Sequence, residues 1–210
     1  MIEHVYRRAA ATAGVDAVIV ATDDERIAAA VSGFGGVVQM TRSTHQTGSD
    51  RVAEVAATLE CEIIVNVQGD LPLIEPEMIS QTMAPLDADS TVQMSTLRRP
   101  ITDASERDSP DVVKVAVDLN GDALYFSRSP LPYLRGNGQT FKHIGLYAYR
   151  RRFLLTLTSL PQTPLEKAES LEQLRALEHG FRIRTVETRH QSVEVDTPED
   201  LERARKLLGR

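Results

Sequence analysis

The sequence predicts an α/β fold: a mainly parallel sheet with helices on both faces and an inserted antiparallel β region. Three observations predict it. Short β-branched runs such as Val18-Ile19-Val20 and Ile63-Ile64-Val65 read as buried strands. Helical patterns separate these runs, and strands alternating with helices give a parallel sheet covered on both sides. After Pro100 the alternation weakens, and apolar and polar residues alternate about Asn120-Gly121, the signal of a hairpin.

Each element follows in order. "MIEHVYRRAAATAG" places Ile2, Val5, Tyr6, Ala9 and Ala10 on one helical face and stops at Gly14. "DAVIVATDD" is a strand whose Thr22-Asp23-Asp24 end caps the helix "ERIAAAVSGFG". "GVVQMT" (36–41) is the next strand. "GSDRVAEVAATLE" (48–60) reads as a helix starting from a Ser/Asp cap, and it leads into the strand of "CEIIVNVQGDLPLI" (61–74). Residues 112–128 form the hairpin, "SPLPYLRGNGQ" is a Pro/Gly loop, and "HIGLYAYRRRFLLTLTSL" is apolar structure running into a helix. "PLEKAESLEQLRALEHG" (164–180) reads as one helix with Pro at its start and Gly at its end. The strand "FRIRTVET", the short apolar segment "VEV" and the helix "TPEDLERARKLLGR" close the chain. The organisation expected is a single domain over 1–210 with an inserted β region at about 100–150.

Composition excludes several classes of function. The 210 residues are 41% hydrophobic and 26% charged, enough for one sizeable core. Lys and Arg number 24 against 30 Asp and Glu, a net charge of -6, so no global attraction draws nucleic acid or anionic lipid. An anionic ligand must be held by local groups. The single cysteine, Cys61, cannot form an internal disulfide and is expected in the core at the head of its strand. No apolar run approaches the roughly 20 residues of a membrane span, and the N-terminus lacks a signal-peptide core, so a cytoplasmic protein is expected.

The chemistry gathers at strand ends. In an open parallel sheet ligands bind outside the carboxyl ends of the strands, where helix N-termini aim unpaired N–H groups at anions. Gln68-Gly69-Asp70 lies at such an end: Gly69 permits close backbone approach, Asp70 can take a hard cation, and Gln68 can donate and accept. A strand-end turn capped by Asp70 also satisfies this motif. "VEVDTPEDLERAR" again ends an apolar segment in an aspartate, Asp196, just outside the Thr197-Pro198-Glu199-Asp200 cap. Two strand-end aspartates could share Mg²⁺, although Asp196 could equally serve the cap. Polar clusters surround these positions: Arg42, His45, Gln46, Ser49 and Arg51 in "TRSTHQTGSDR", then Arg128, Lys142, His143 and Tyr147. No Cys/His metal spacing, Ser-His-Asp set or Gly-rich phosphate loop is present.

The ordered segments "VIVATDDERI", "TRSTHQTGSDR", "VNVQGDLPLI", "VVKVAVD" with "ALYFSR", "HIGLYAYRR", "PLEKAESLEQLRALEHG" and "VEVDTPEDLERAR" resemble the 3-deoxy-manno-octulosonate cytidylyltransferase family over nearly the whole chain. The resemblance implies a nucleotide-diphospho-sugar transferase-like (Rossmann-like) fold, a homodimer built through the inserted β region, and the Mg²⁺-dependent reaction CTP + Kdo → CMP-Kdo + pyrophosphate for lipopolysaccharide biosynthesis. It implies that Asp70 and Asp196 bind the magnesium. It assigns the cytosine and ribose side to Thr22, Asp23, His45 and Arg51, and the sugar-acid side to Gln68, Arg128, His143, Glu172 and Gln173. Arg128 suits a bidentate grip on the Kdo carboxylate, and Glu172 and the amides can accept from sugar hydroxyls. The family's opening strand and triphosphate loop have no counterpart before "MIEHVY", so this polypeptide is expected to be truncated and to show at most trace synthesis. Other readings are a cytidylyltransferase for another 2-keto sugar acid, such as sialic acid or 8-amino-Kdo, and a non-catalytic sugar-binding relic.

Overall fold

The computed structural model describes residues 1–191, 194–195 and 197–209. The chain divides into two compact units. The first comprises Met1–Glu60, Asn66–Ser80 and His190–Arg210, and the second comprises Cys61–Val65 and Gln81–Arg189.

The first unit opens on α1 (Ile2–Ala10), which buries Val5 and Ala9. Its Tyr6 ring meets Phe34 edge-on, and the Tyr6 hydroxyl accepts from the Val37 N–H at 3.1 Å. β1 (Ile19–Thr22), α2 (Glu25–Gly33) and β2 (Val37–Met40) form a strand–helix–strand unit, and the two strands pair in parallel from Ile19↔Val37 to Thr22↔Met40. Asp24 caps α2, its carboxylate accepting from the Arg26 N–H at 2.8 Å. Arg26 folds back on that carboxylate and holds it at a pKa of about 2. α3 (Gly48–Ala57) is capped by the Thr47 hydroxyl, which accepts from Asp50 N–H, rather than by Ser49 or Asp50. An Ncap residue stands outside the helix and serves the N–H three positions on, and Thr47 has that extended geometry. α9 (Pro198–Leu207) starts in the expected Thr197–Asp200 capping box.

The second unit holds a sheet in the order β6-β5-β7-β4-β8, with β3 also paired to β7. Its strands are β3 (Ile63–Asn66), whose last residue belongs to the first unit, β4 (Met94–Pro100), β5 (Lys114–Val117), β6 (Ala123–Ser127), β7 (Phe141–Arg150) and β8 (Arg184–Glu187). The sheet is mixed. β4 and β8 run parallel, whereas β7 runs antiparallel to β4 and β5, and β5 antiparallel to β6. The inserted antiparallel region is thus continuous with the sheet through the ten-residue β7. Its hairpin turns at Gly121, whose φ of +83° is a conformation side chains disfavour. The register shifts between Thr96 and Leu97, a bulge opposite β7. Leu97, Val115, Phe126, Leu146 and Leu154 are fully buried. α4 (Pro76–Ala88), which begins in the first unit, α5 (Ala104–Asp108) and α6 (Arg151–Ser159) complete the connections.

Two local expectations change. Residues 164–180 form two short helices, α7 (Pro164–Glu169) and α8 (Gln173–Glu178), because Ser170 adopts the left-handed conformation at φ +54° and Leu171 N–H turns back to the Glu166 carbonyl. Cys61 is exposed, since its strand begins only at Ile63. Among the described residues no helix is long and apolar enough to cross a membrane.

Candidate active site

In the first unit, the ends of β1 and β2 and the start of α3 bring four polar groups together. Arg51, in the first turn of α3, donates from Nη1 to the Thr41 hydroxyl at 2.6 Å and pairs with Asp23 at 3.1 Å. Thr22 is buried, and its hydroxyl accepts from Asp24 N–H at 3.1 Å while its carbonyl accepts from Thr41 N–H at 2.9 Å. Thr22, Asp23 and Arg51 are therefore one cluster. His45 gives its Nε2 to the Glu54 carboxylate, which also accepts from Arg42 Nε at 3.2 Å. That histidine contact, with the help of Arg42, holds the Glu54 carboxyl below the usual range. His45 thus fastens the loop before α3, leaving Nδ1 as its other ring nitrogen.

Gln68 lies against the start of α3: a Cβ added to Gly48 would stand 3.6 Å from Gln68 Nε2. Asp70 is fixed through its backbone, its carbonyl accepting from Val195 N–H at 3.0 Å. Asp196 lies outside the described residues. Among the described residues no group of three or more His, Cys, Asp or Glu side chains could hold a metal. The donor chemistry fits Mg²⁺ nonetheless, because that ion takes one or two protein carboxylates and completes its shell with water and phosphate.

In the second unit, Arg128 follows β6 and donates from Nε to the Glu169 carbonyl at 2.9 Å and from Nη1 to the Pro110 carbonyl at 3.2 Å. Two of its five N–H groups are used. Among the described residues its guanidinium has no ion pair, although its charge helps hold the Glu169 carboxyl down, so its remaining N–H groups are left for an anion. The Glu169 carboxylate accepts from the backbone N–H of Arg128 at 2.9 Å, from the Ser127 hydroxyl at 2.6 Å and from the Tyr125 hydroxyl at 3.4 Å. Burial pushes this carboxyl up, but those hydrogen bonds outweigh it and leave Glu169 below the usual range. Glu172 sits at the N-cap of α8 and stays partly exposed. Gln173 is only 4% exposed, and its Nε2 is buried without a hydrogen-bond partner among the described residues. An orphaned buried donor costs about 1–3 kcal/mol, which a ligand oxygen removes.

His143 lies on β7 between the rings of Phe126 and Tyr147, with centroids at 4.9 and 5.4 Å. The Thr96 hydroxyl, beside the bulge, reaches the Leu146 carbonyl at 2.8 Å and His143 Nε2 at 2.9 Å. With its one proton on the carbonyl, the hydroxyl accepts from Nε2–H, and the neutral ring keeps Nδ1 as an acceptor. Burial lowers the His143 pKa from 6.5 to about 3. The sign follows: the unfolded chain takes up a proton between these values that the folded chain refuses, so stability is full above pH 6.5 and falls as pH drops toward 3. The slope reaches about 1.4 kcal/mol per pH unit for one proton. His143→Gln is expected to flatten the acid limb of a urea-denaturation profile by that amount. Parallel limbs for the two proteins would contradict the assignment.

Of these groups the sequence did not single out Glu169, Glu54, Thr41 or Thr96. Glu169 reads as one more charge on an amphipathic helix, and only the fold shows it holding Arg128.

The cytidylyltransferase family model matches residues 1–207. The chain belongs to the cytidylyltransferase family. Among its relatives, the 3-deoxy-manno-octulosonate cytidylyltransferase of Geobacter metallireducens is 55% identical over 100% of this chain and 88% of the relative. That of Solibacter usitatus is 52% identical over 99% of this chain and 84% of the relative. A solved CMP:2-keto-3-deoxy-manno-octonic acid synthetase complexed with CTP superimposes with a TM-score of 0.95 at 45% identity, covering 99% of this chain and 87% of that one. The 4-diphosphocytidyl-2C-methyl-D-erythritol synthase of Anaerococcus prevotii, with a TM-score of 0.64 at 15% identity, shares the fold. The mixed α/β architecture is thus that of Rossmann-like nucleotidyltransferases, and the cytidylyltransferase is a transferase of nucleotidyl groups.

Proposed function

We propose that the protein transfers the cytidylyl group of CTP to Kdo, giving CMP-Kdo and pyrophosphate. The observation that carries this reading is that the second unit holds both a guanidinium with spare N–H groups, Arg128, and an orphaned buried amide donor, Gln173, in a chain 55% identical to a named Kdo cytidylyltransferase. A guanidinium fork recognises a carboxylate, and an amide donor recognises a sugar oxygen. Arg128 takes the Kdo carboxylate, Gln173 donates to a ring or hydroxyl oxygen, and Glu172 and His143 Nδ1 accept from hydroxyls. Arg51, braced by Asp23 and Thr41, serves the nucleotide together with Thr22, His45 and the N–H groups that open α3. In the transfer, the anomeric hydroxyl oxygen of Kdo bonds to the α-phosphorus as the bond from that phosphorus to the bridging oxygen breaks, the hydroxyl proton passes to water, and pyrophosphate leaves with the electron pair. Asp70 and Asp196 would hold Mg²⁺, which neutralises phosphate charge when bound. Gln68, beside α3 in the first unit, is assigned to the sugar acid by resemblance alone.

Calorimetric titration tests the reading. CTP and Kdo are both expected to bind, and Arg51→Ala is expected to weaken CTP about tenfold while leaving Kdo unchanged. Binding of Kdo without CTP would indicate a sugar-binding relic. Tighter binding of sialic acid than of Kdo would reassign the sugar.

The reaction is placed in the cytoplasm, and the active species is a homodimer formed through the inserted β region. Leu119, Leu124 and Tyr133 in that region are 106%, 63% and 88% exposed, apolar side chains that a dimer contact through this region would cover. Light scattering is expected to give twice the chain mass, and a monodisperse monomer at high concentration would refute the dimer.

A further inference from the structure

Lys114 is a charged residue that no step above uses, yet it is 0% exposed on β5. Its Nζ donates to the carbonyl oxygens of Ser109 at 2.7 Å, Val112 at 2.6 Å and Arg128. An ammonium has three N–H groups, and three carbonyls saturate it. Among the described residues no carboxylate pairs with it. An enclosed cation costs desolvation that an apolar side chain of the same length would avoid. What the ammonium supplies in return is geometry. Two of its acceptors lie in the loop between α5 and β5, and the third is the backbone of Arg128. The Arg128 side chain grips that same loop, through Nη1 to the Pro110 carbonyl. One ammonium therefore joins the backbone that carries the guanidinium to the loop that carries one of its two acceptors. Glu169 supplies the other acceptor and holds the Arg128 N–H as well.

We propose that Lys114 is a positioning residue for Arg128, locking the guanidinium so that its three remaining N–H groups face the sugar-acid carboxylate as a pre-set fork. The inference rests on the reading of Arg128 as the carboxylate clamp. A fork fixed before binding loses less rotational freedom when the ligand arrives, so the effect falls on affinity for the acid alone.

The test is a double-mutant cycle read by calorimetry with Kdo and, separately, CTP. Lys114→Met is expected to weaken Kdo about tenfold and leave CTP unchanged, and Arg128→Ala to weaken Kdo more. In the Arg128→Ala background Lys114→Met is expected to have no further effect on Kdo, because a positioning residue has nothing left to position. A general structural role would instead weaken Kdo by the same factor in both backgrounds, or weaken CTP too, and either result overturns the proposal. Should Lys114→Met not fold, Glu169→Gln takes its place with the same expectations, since it loosens the other hold on Arg128. If Arg128→Ala alone leaves Kdo binding unchanged, the clamp reading fails. If Arg128→Ala weakens Kdo and neither Lys114→Met nor Glu169→Gln does, only the positioning proposal fails.

Discussion

Asp70→Asn is expected to lower pyrophosphate release from CTP and Kdo by about 10²–10³-fold, measured in single turnovers with the protein in excess so that even a trace rate of the unaltered chain is resolved. The substitution keeps the shape of the side chain and removes its charge. The backbone hold on Asp70 does not involve that charge, because its carbonyl accepts from Val195 N–H and the buried Leu71 and Pro72 follow at once. A carboxylate that helps bind a divalent cation acts on charge moving toward the leaving pyrophosphate, so its loss falls on the rate. Kdo affinity is expected to stay within a few-fold, since Arg128, Gln173 and His143 are untouched. A rate within a few-fold of the unaltered chain would remove Asp70 from the metal site and restore the simpler reading of a strand-end turn.

The parts of the fold that were legible in the sequence are those written in local pattern. β-branched runs placed β1, β2 and β3 to within a few residues, Asn120-Gly121 placed the β5–β6 hairpin, and Thr197 to Asp200 placed the start of α9. Helical periodicity did not reveal the break at Ser170, because the apolar residues on either side keep the spacing of one helix while a single left-handed residue divides it. α4 went unread although it starts on Pro76 with Glu77 in its first turn, because Pro85 inside it interrupts the helical pattern. In "VVKVAVD" the alternation would place Lys114 on a solvent face. The fold encloses it because three carbonyls, two of them in a loop whose path no local rule gives, replace the water. The candidate site divides in the same way. The strand-end position of Asp70 was legible. The Asp23–Arg51 pair was not, since it joins residues far apart in sequence that meet only when β1 and α3 pack together.

The largest loss of stability is expected from Glu166→Ala. Glu166 and Arg175 are 3% and 6% exposed and meet through two hydrogen bonds, Nε to Oε2 at 2.8 Å and Nη2 to Oε1 at 2.5 Å. Glu166 also accepts from Thr163 N–H at 3.2 Å, so it stops α7 from fraying while it neutralises the guanidinium from α8. Glu178, near the end of α8, accepts from the N–H groups of Leu165 and Glu166 and ties the two short helices a second time. Neither helix is long enough to persist alone, and the pair holds the turn that carries Glu172 and Gln173. Removing one partner leaves a buried charge uncompensated, and the expected cost is about 3–5 kcal/mol in urea denaturation followed by far-UV circular dichroism. Glu166→Leu combined with Arg175→Met is expected to recover most of that loss, because the two apolar side chains fill the space without desolvating a charge. The recovered protein is nevertheless expected to bind Kdo more weakly than the unaltered chain, since packing alone does not fix the register of α8 as a two-point hydrogen bond does. If Glu166→Ala costs less than about 1 kcal/mol, water reaches the guanidinium and the pair is not buried in solution.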